Sequence, residues 1–348
     1  MPSSASEPNR FLRRFAWFTA VATVLLICSG GMVTSKGVGL AVPDWPTTFG
    51  YNMFFFPVSK WVGGIFFEHT HRLIASVIGF LTIILAIWLA RSNAAGWVKT
   101  LGWGSLGAVV LQGILGGLRV TLLKDQIGIF HACLAQAFLG LLVLIALALS
   151  PIWQRLRSAA AGLPRSLAVL AVVISSLIYG QLALGATMRH QHRDLSITDF
   201  PLAYGQFIPA TDPGTIARIN QARDAQALSD VTPAQIWLQM AHRFLALVIG
   251  LTIAAFAFLV RRNSPAAPAF LRRLSSLWLV LVLVQIGLGA WTIWSNKAAD
   301  IATAHVALGA ITFATAIVIT AVVLRLRYLT KMPRPSEQTT LLAEVAAS

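Results

Sequence analysis

The sequence predicts an all-α polytopic membrane protein: eight transmembrane helices, arranged as two four-helix bundles related by a pseudo-two-fold axis along the membrane normal. Three observations predict it: long apolar runs, one-sided basic residues and an internal repeat. The chain has 348 residues, 57% hydrophobic and 11% charged, against about 25% charged in a typical soluble protein. Its apolar residues gather into eight runs, near 15–35, 67–90, 100–118, 126–149, 166–188, 236–260, 274–295 and 301–324. Each approaches or exceeds the ~20 helical residues needed to cross a bilayer core.

Charge placement gives the orientation. Arg10, Arg13 and Arg14 precede the first run; Arg91 and Lys99 lie between the second and third; Arg155, Arg157 and Arg165 between the fourth and fifth. Arg261, Arg262, Arg272 and Arg273 lie between the sixth and seventh, and Arg325, Arg327, Lys331 and Arg334 follow the eighth. All fall on one side of the membrane, which by the positive-inside rule is the cytoplasm. Both termini are therefore expected to be cytoplasmic, with the long loops 36–66 and 189–235 facing outward. This distribution argues against reading the net charge of +15 as a nucleic-acid surface. No cleavage motif follows the first run, so it is read as an uncleaved helix. The short polar stretch before it favours a bacterial cytoplasmic membrane over a mitochondrial presequence. Cys28 and Cys133, the only cysteines, both fall inside expected spans, and no structural disulfide is expected.

The two bundles follow from a duplication. "GGMVTSKGVGLAVPDWP" (30–46) aligns with "GATMRHQHRDLSITDFP" (185–201) at an offset of 155. "EHTHRLIASVIG" (68–79) aligns with "QMAHRFLALVIG" (239–250), offset 171; "LQGILGGLRV" (111–120) with "VQIGLGAWTI" (284–293), offset 173; and "HACLAQAFLG" (131–140) with "HVALGAITFA" (305–314), offset 174. The jump from 155 to 171 places a 16-residue insertion in the second outer loop. Four spans per half give both halves the same orientation, hence the axis along the membrane normal. The expected divisions are an N-terminal half (1–150), a cytoplasmic linker (151–165), a C-terminal half (166–328) and a cytoplasmic tail (329–348).

Four of the seven histidines occupy repeat-equivalent places: His71 and His242 on spans two and six, His131 and His305 on spans four and eight. Each is expected about one turn inside the outer end of its helix. A lone histidine in a membrane helix often serves only an interhelical hydrogen bond. Four in a symmetric pattern suit two haem irons, one held by His71 and His131 and one by His242 and His305. Zinc fits less well, because it recruits three or four ligands together. Gly113, Gly116, Gly117, Gly287 and Gly289 would let a macrocycle or a neighbouring helix approach closely. Arg72 and Arg243 directly follow their histidines and are candidate partners for haem propionates, or for lipid headgroups by snorkelling.

The halves differ at one telling place. Glu68 lies three residues before His71, on the same helix face, and its repeat partner is Gln239. A carboxylate can move protons or stabilise positive charge; an amide takes up no proton at ordinary pH. The N-terminal half therefore reads as reactive and the C-terminal half as a redox or structural site. His69 has Met240 as its counterpart and reads as interfacial rather than a ligand. His190 and His192 are unassigned.

This pattern resembles the haem A synthase (CtaA/Cox15) family over about residues 12–328. The residues carrying the resemblance are the "ExxHR" of Glu68, His71 and Arg72 opening span two, and His131, His242 and His305 opening spans four, six and eight. The resemblance implies oxidation of the C8 methyl of haem O to a formyl group, by successive hydroxylations to a gem-diol that loses water, giving haem A for cytochrome oxidases. It also implies that His242 and His305 ligate a haem b cofactor, that His71 and His131 flank the substrate haem, and that Glu68 is catalytic. Many bacterial members carry a cysteine pair in the outer loops; here both loops lack cysteine, so any mechanism using that pair is excluded. Candidate partners are haem O synthase, an electron donor, membrane lipid and further copies of the chain. The rival readings are a dihaem b-type electron carrier and a haem transporter or chaperone, neither of which alters the porphyrin.

Overall fold

The computed structural model of the chain describes residues 9–156, 163–191, 195–262 and 267–329. Arg157, His192, Asp194, Lys331, Arg334 and the tail beyond Leu329 lie outside them. The helices are α1 (Arg10–Ser35), α2 (Gly63–Arg91), α3 (Gly96–Leu122), α4 (Asp125–Ala148), α5 (Pro151–Arg155), α6 (Arg165–His190), α7 (Pro213–Asp224), α8 (Pro233–Arg262), α9 (Ala269–Trp294) and α10 (Ala299–Leu329). All except α5 and α7 are long and apolar enough to cross a membrane, so the chain is a multi-pass, all-α membrane protein. No strand occurs among the described residues.

Most of these helices outrun the apolar segments by one or two turns. Hydropathy marks the hydrocarbon core, whereas a helix continues into the headgroup zone, where arginines and polar residues are tolerated. α1 thus begins at Arg10, capped by Asn9, whose side chain accepts from Phe11 N–H. The short α5, between α4 and α6, has Ser150 as cap and Pro151 at its first position. The insertion in the second outer loop holds α7, with Asp212 accepting from Thr215 N–H at 3.0 Å and Pro213 at the first position.

Equivalent helices pack equivalently. α1 touches α2 as α6 touches α8; α4 packs on α3 as α10 packs on α9; α1 packs on α4 as α6 packs on α10. The halves meet through α1 with α10, α4 with α6 and α4 with α10. This makes α4 and α10 central and α3 and α9 peripheral: 44% of the apolar window is buried in α4 and α10, but 17% in α3 and α9. The N-terminal core centres on Leu85, Leu89, Leu142 and Ile145; the C-terminal one on Ile174, Ile253, Phe256 and Trp278. Polar links stitch the halves, including Tyr179 OH to Cys133 O at 3.2 Å and Ser35 Oγ to Thr303 Oγ1 at 3.2 Å. The outward faces of α2, α3, α8 and α9 leave large apolar side chains exposed, such as Phe80, Val110, Leu251 and Leu283, as a lipid-facing surface requires. Cys28 on α1 and Cys133 on α4 are free thiols.

The two long loops, expected to face outward, fold back over the bundle through one repeated module. Asp44 accepts from Phe49 N–H at 2.7 Å and Gly50 N–H at 2.9 Å; Asp199 accepts from Tyr204 N–H at 2.7 Å and Gly205 N–H at 2.9 Å. Phe49 and Tyr204 hold φ near 50° (50° and 52°), a left-handed conformation disfavoured outside glycine, and Gly50 and Gly205 both stand at 76°. Charge-assisted bonds from two consecutive N–H groups offset that cost. Trp45–Pro46 and Phe200–Pro201 are both cis. The repeat is thus one of backbone conformation as well as of sequence.

Asp44 carries a pH dependence. Burial pushes its carboxyl up, but donation from Gly50 N–H, Thr47 and Phe49 N–H outweighs this and holds it below its ordinary value. Because the folded value is depressed, its stabilisation is fully present above the ordinary carboxylate range and is lost as pH falls through the folded value. Asp44→Asn is expected to loosen the module at all pH values. Amide hydrogen exchange should become roughly tenfold faster at Phe49 and Gly50, and unchanged exchange would contradict the assignment.

Candidate functional site

The loop module reaches the bundle through Glu68 and Arg72. Glu68, on α2 and 4% exposed, accepts from Val42 N–H at 2.9 Å through Oε2 and pairs with Arg72 Nη2 at 2.7 Å through Oε1. Arg72 Nη1 donates to Asp44 O at 2.7 Å and Thr47 O at 3.1 Å, and Nη2 to Val42 O at 2.8 Å. In the second half Gln239, 3% exposed, does similar work with an amide: Oε1 accepts from Ile197 N–H at 2.7 Å and Nε2 donates to Ile197 O at 3.2 Å. Arg243 donates to Leu202 O at 2.8 Å and Asp199 O at 2.7 Å. Arg72 and Arg243, expected beside propionates, therefore have their terminal donors engaged on loop carbonyls.

Below this layer stand the four histidines, in a repeated setting. His71 on α2 lies against Gly30 on α1, His131 on α4 against Gly116 on α3, His242 on α8 against Gly185 on α6, and His305 on α10 against Gly289 on α9. A Cβ at these glycines would lie 2.9, 3.4, 3.4 and 3.1 Å from the imidazole Cε1. Gly30 and Gly185 are repeat-equivalent, as are Gly116 and Gly289. His71 lies within electrostatic range of His131, and His242 of His305, so the structure brings the expected pairs together. At 1.5 Å per residue, the histidines sit roughly 9–14 Å from the loop-side starts of their helices. That is about two turns rather than the single turn expected, because the helices begin earlier than the apolar runs.

Glutamines fix the histidine backbones. Gln112 Nε2 donates to His131 O at 3.0 Å, Gln285 Nε2 to His305 O at 2.8 Å and Gln181 Nε2 to His242 O at 2.9 Å. Gln112 and Gln285 match in the repeat; Gln181 has Leu26 as counterpart, so His71 lacks this tether. The Nδ1 atoms of all four histidines are buried with no hydrogen-bond partner. Four orphaned ring nitrogens are expensive in a folded protein. Imidazoles cradled against glycines and paired across a bundle suit a flat metallated ring between the helices.

The glycines separate into two kinds. Gly113 and Gly287 have nothing within 4 Å of an added Cβ, whereas Gly117 is filled by the Trp45 ring and Gly116 and Gly289 face histidines. Gly113→Ala and Gly287→Ala are expected to be silent or to stabilise by up to ~1 kcal/mol. Gly30→Val and Gly289→Val should each displace one imidazole and cut bound haem by about half. Pyridine haemochrome content of the purified variants checks both statements.

His69, expected at the interface, is fully buried (0% exposed). Its Nδ1 lies 3.2 Å from Thr48 Oγ1, and its ring packs on Phe56 and Trp61 with centroids at 5.1 and 4.8 Å. The first outer loop is long enough to fold over it, which helix position alone did not show. Arg119 on α3 escaped the sequence reading. It is close enough to Glu68, Asp125, His71 and His131 for electrostatic interaction. Thr292 is its repeat counterpart, so the comparison that picked out Glu68 would have picked it out too.

Known proteins resemble this chain in sequence. A model of the COX15-CtaA family, described as cytochrome oxidase assembly protein, matches residues 13–317. Proteins named heme A synthase align over most of the chain. The one from Geobacillus kaustophilus is 27% identical over 312 residues, 85% of this chain and 86% of that protein. The one from Shouchella clausii is 27% identical over 296 residues, 83% of this chain and 89% of that protein. The one from Shewanella oneidensis is 25% identical over 308 residues, covering 82% and 89%. The chain belongs to the COX15-CtaA family of cytochrome oxidase assembly proteins.

Proposed function

We propose that the protein is a haem A synthase, an oxidoreductase that converts the C8 methyl of haem O to the formyl group of haem A. The observation that carries this reading is the pair of like histidine settings, only one of which has a carboxylate, Glu68, about one helical turn above its histidine. His71 and His131 hold the substrate haem, and His242 and His305 hold a resident haem b. When bound, the haems supply the redox chemistry; the chain supplies position and a protonatable group.

Glu68 is that group. Its loop-anchoring bond to Val42 N–H needs only an acceptor, as Gln239 illustrates in the other half, so a carboxylate there is more than anchoring requires. Arg72 holds the carboxylate in place while tying the first outer loop over the site, and that loop limits water entry from the outer face. His71 and His131, set against Gly30 and Gly116, are the residues that would hold the substrate haem. The termini are cytoplasmic, in a bacterial cytoplasmic membrane, and both haem sites lie toward the outer face. Oxidising a methyl to a formyl group calls for an external oxidant that supplies the oxygen, acting with an electron donor, and haem O synthase is the partner that would supply the substrate.

The test is production of the chain in cells that make haem O but no haem A. Haem A in the extracted membrane pigments is expected. Its absence, with the protein present and haem-loaded, would favour the dihaem carrier instead.

A further inference from the structure

Where the two halves meet at the loop end, a cavity of about 80 Å³ is lined by Thr34, Gly37, Gly39, Arg119, Arg189 and His190, together with Leu40. None of these was assigned above to a haem. Three of the lining side chains are basic or protonatable, and none is acidic. Arg119 and His190 come from different halves yet both pack on the bare backbone of Gly128 on α4. A Cβ there would lie 2.9 Å from Arg119 Nε and 2.6 Å from His190 Nδ1. Arg119 also crosses Gly39, whose Cβ would lie 2.7 Å from Nη1. Arg189 at the end of α6 donates to Gly31 O and Ser35 Oγ on α1 and reaches Ala302 O on α10 at 3.5 Å. Two arginines and a histidine are thus drawn to one small space, Arg119 and His190 through gaps that only glycine leaves open.

Their height is informative. Arg119 is three residues beyond Gly116, and Arg189 is four beyond Gly185. Each stands about one turn, ~5 Å, nearer the loop end than a glycine that cradles a histidine. A carboxylate of a macrocycle held at the histidines would meet these guanidinium groups if it projected toward the loop end. Arg119 neighbours His71 and His131, and Arg189 neighbours His305, so each half contributes one guanidinium. Arg72 and Arg243 also neighbour their histidines, but their terminal nitrogens donate to carbonyls of the loops above, whereas Arg119 and Arg189 line an open cavity.

We propose that the cavity formed by Arg119, Arg189 and His190 binds carboxylates of the haems held in the two histidine sites, Arg119 serving the N-terminal haem and Arg189 the C-terminal one. A volume of about 80 Å³ is ample for a carboxylate group. This assignment rests on the reading of both sites as haem sites.

The test is a titration of the haem-free full-length chain in detergent with protohaem and with protohaem dimethyl ester, followed by Soret absorbance. Wild type is expected to bind the acid at least about tenfold more tightly than the ester, as one charge-assisted contact implies. Arg119→Gln and Arg189→Gln should each reduce that preference, and Arg119→Lys should restore part of it. Equal wild-type affinity for acid and ester would overturn the assignment, and needs no variant to fold. So would a preference that survives both glutamine variants. Acetate that stabilises the haem-free protein through Arg119, with acid and ester binding alike, would give the cavity to a free carboxylate and also overturn it. Failure of either haem to give a histidine-dependent Soret shift would overturn the haem-site reading itself, and this assignment with it.

Discussion

Glu68→Gln is expected to lower haem A formation by about 10²–10⁴-fold, the range for losing a positioned acid–base group, while both haems stay bound. The structure makes this substitution unusually clean, because Gln239 already occupies the equivalent place. A glutamine at 68 retains an acceptor for Val42 N–H, now 2.9 Å from Oε2, so the first outer loop stays anchored. Arg72 keeps its bonds to the carbonyls of Val42, Asp44 and Thr47 and loses only the ionic partner at 2.7 Å. Glu68→Ala would be a poorer test, since it leaves Val42 N–H without its acceptor and mixes loop loosening with lost chemistry. Haem A output against haem content, measured on the same membranes, separates the two effects. Full activity in Glu68→Gln would reduce Glu68 to an anchor and remove the distinction between the halves.

His305→Ala or His242→Ala should cost the C-terminal haem and, with it, turnover, while haem O still binds in the N-terminal half. The expected haemochrome content falls from two haems per chain toward one. These half-buried side chains lie against Gly289 and Gly185, and truncation removes an imidazole that would hold the iron. The glutamine tethers from Gln285 and Gln181 act on backbone carbonyls and survive the change, so helix placement is preserved. Unchanged haem content with intact turnover would show that this pair holds no resident cofactor.

Much of this was legible in the sequence because the chain states it twice. The spans are set by bilayer thickness, and the histidine places by four alignments that include Gln112 with Gln285 and Asp44 with Asp199. Alignment did not reveal what the shared aspartates do: they hold left-handed turns at Phe49–Gly50 and Tyr204–Gly205, a matter of backbone conformation. Gly30 and Gly185 lay inside an aligned segment, but nothing in one dimension says which helix a glycine faces. Gly113 and Gly116 looked alike for the same reason, yet only Gly116 meets an imidazole. Arg72 and Arg243 were read from adjacency to histidine; a neighbour in sequence on a helix points about 100° away, and theirs is the loop side. α7 had a readable start in Asp212–Pro213. Its packing was not readable: Ile219 joins Ile197, Val231 and Met240 in a small core beneath the loop, and Arg223 Nη1 closes on Leu195 O at 3.1 Å.

The central claim is a division of labour, substrate haem in the N-terminal half and resident haem in the C-terminal half. Mass analysis of the haems extracted from two paired variants, produced in cells that make haem O, tests it most directly. With His242→Ala and His305→Ala together, the account predicts haem O retained and unconverted, with no haem b. With His71→Ala and His131→Ala together, it predicts haem b alone. The same haem in both variants, or haem O held by the second, would contradict it.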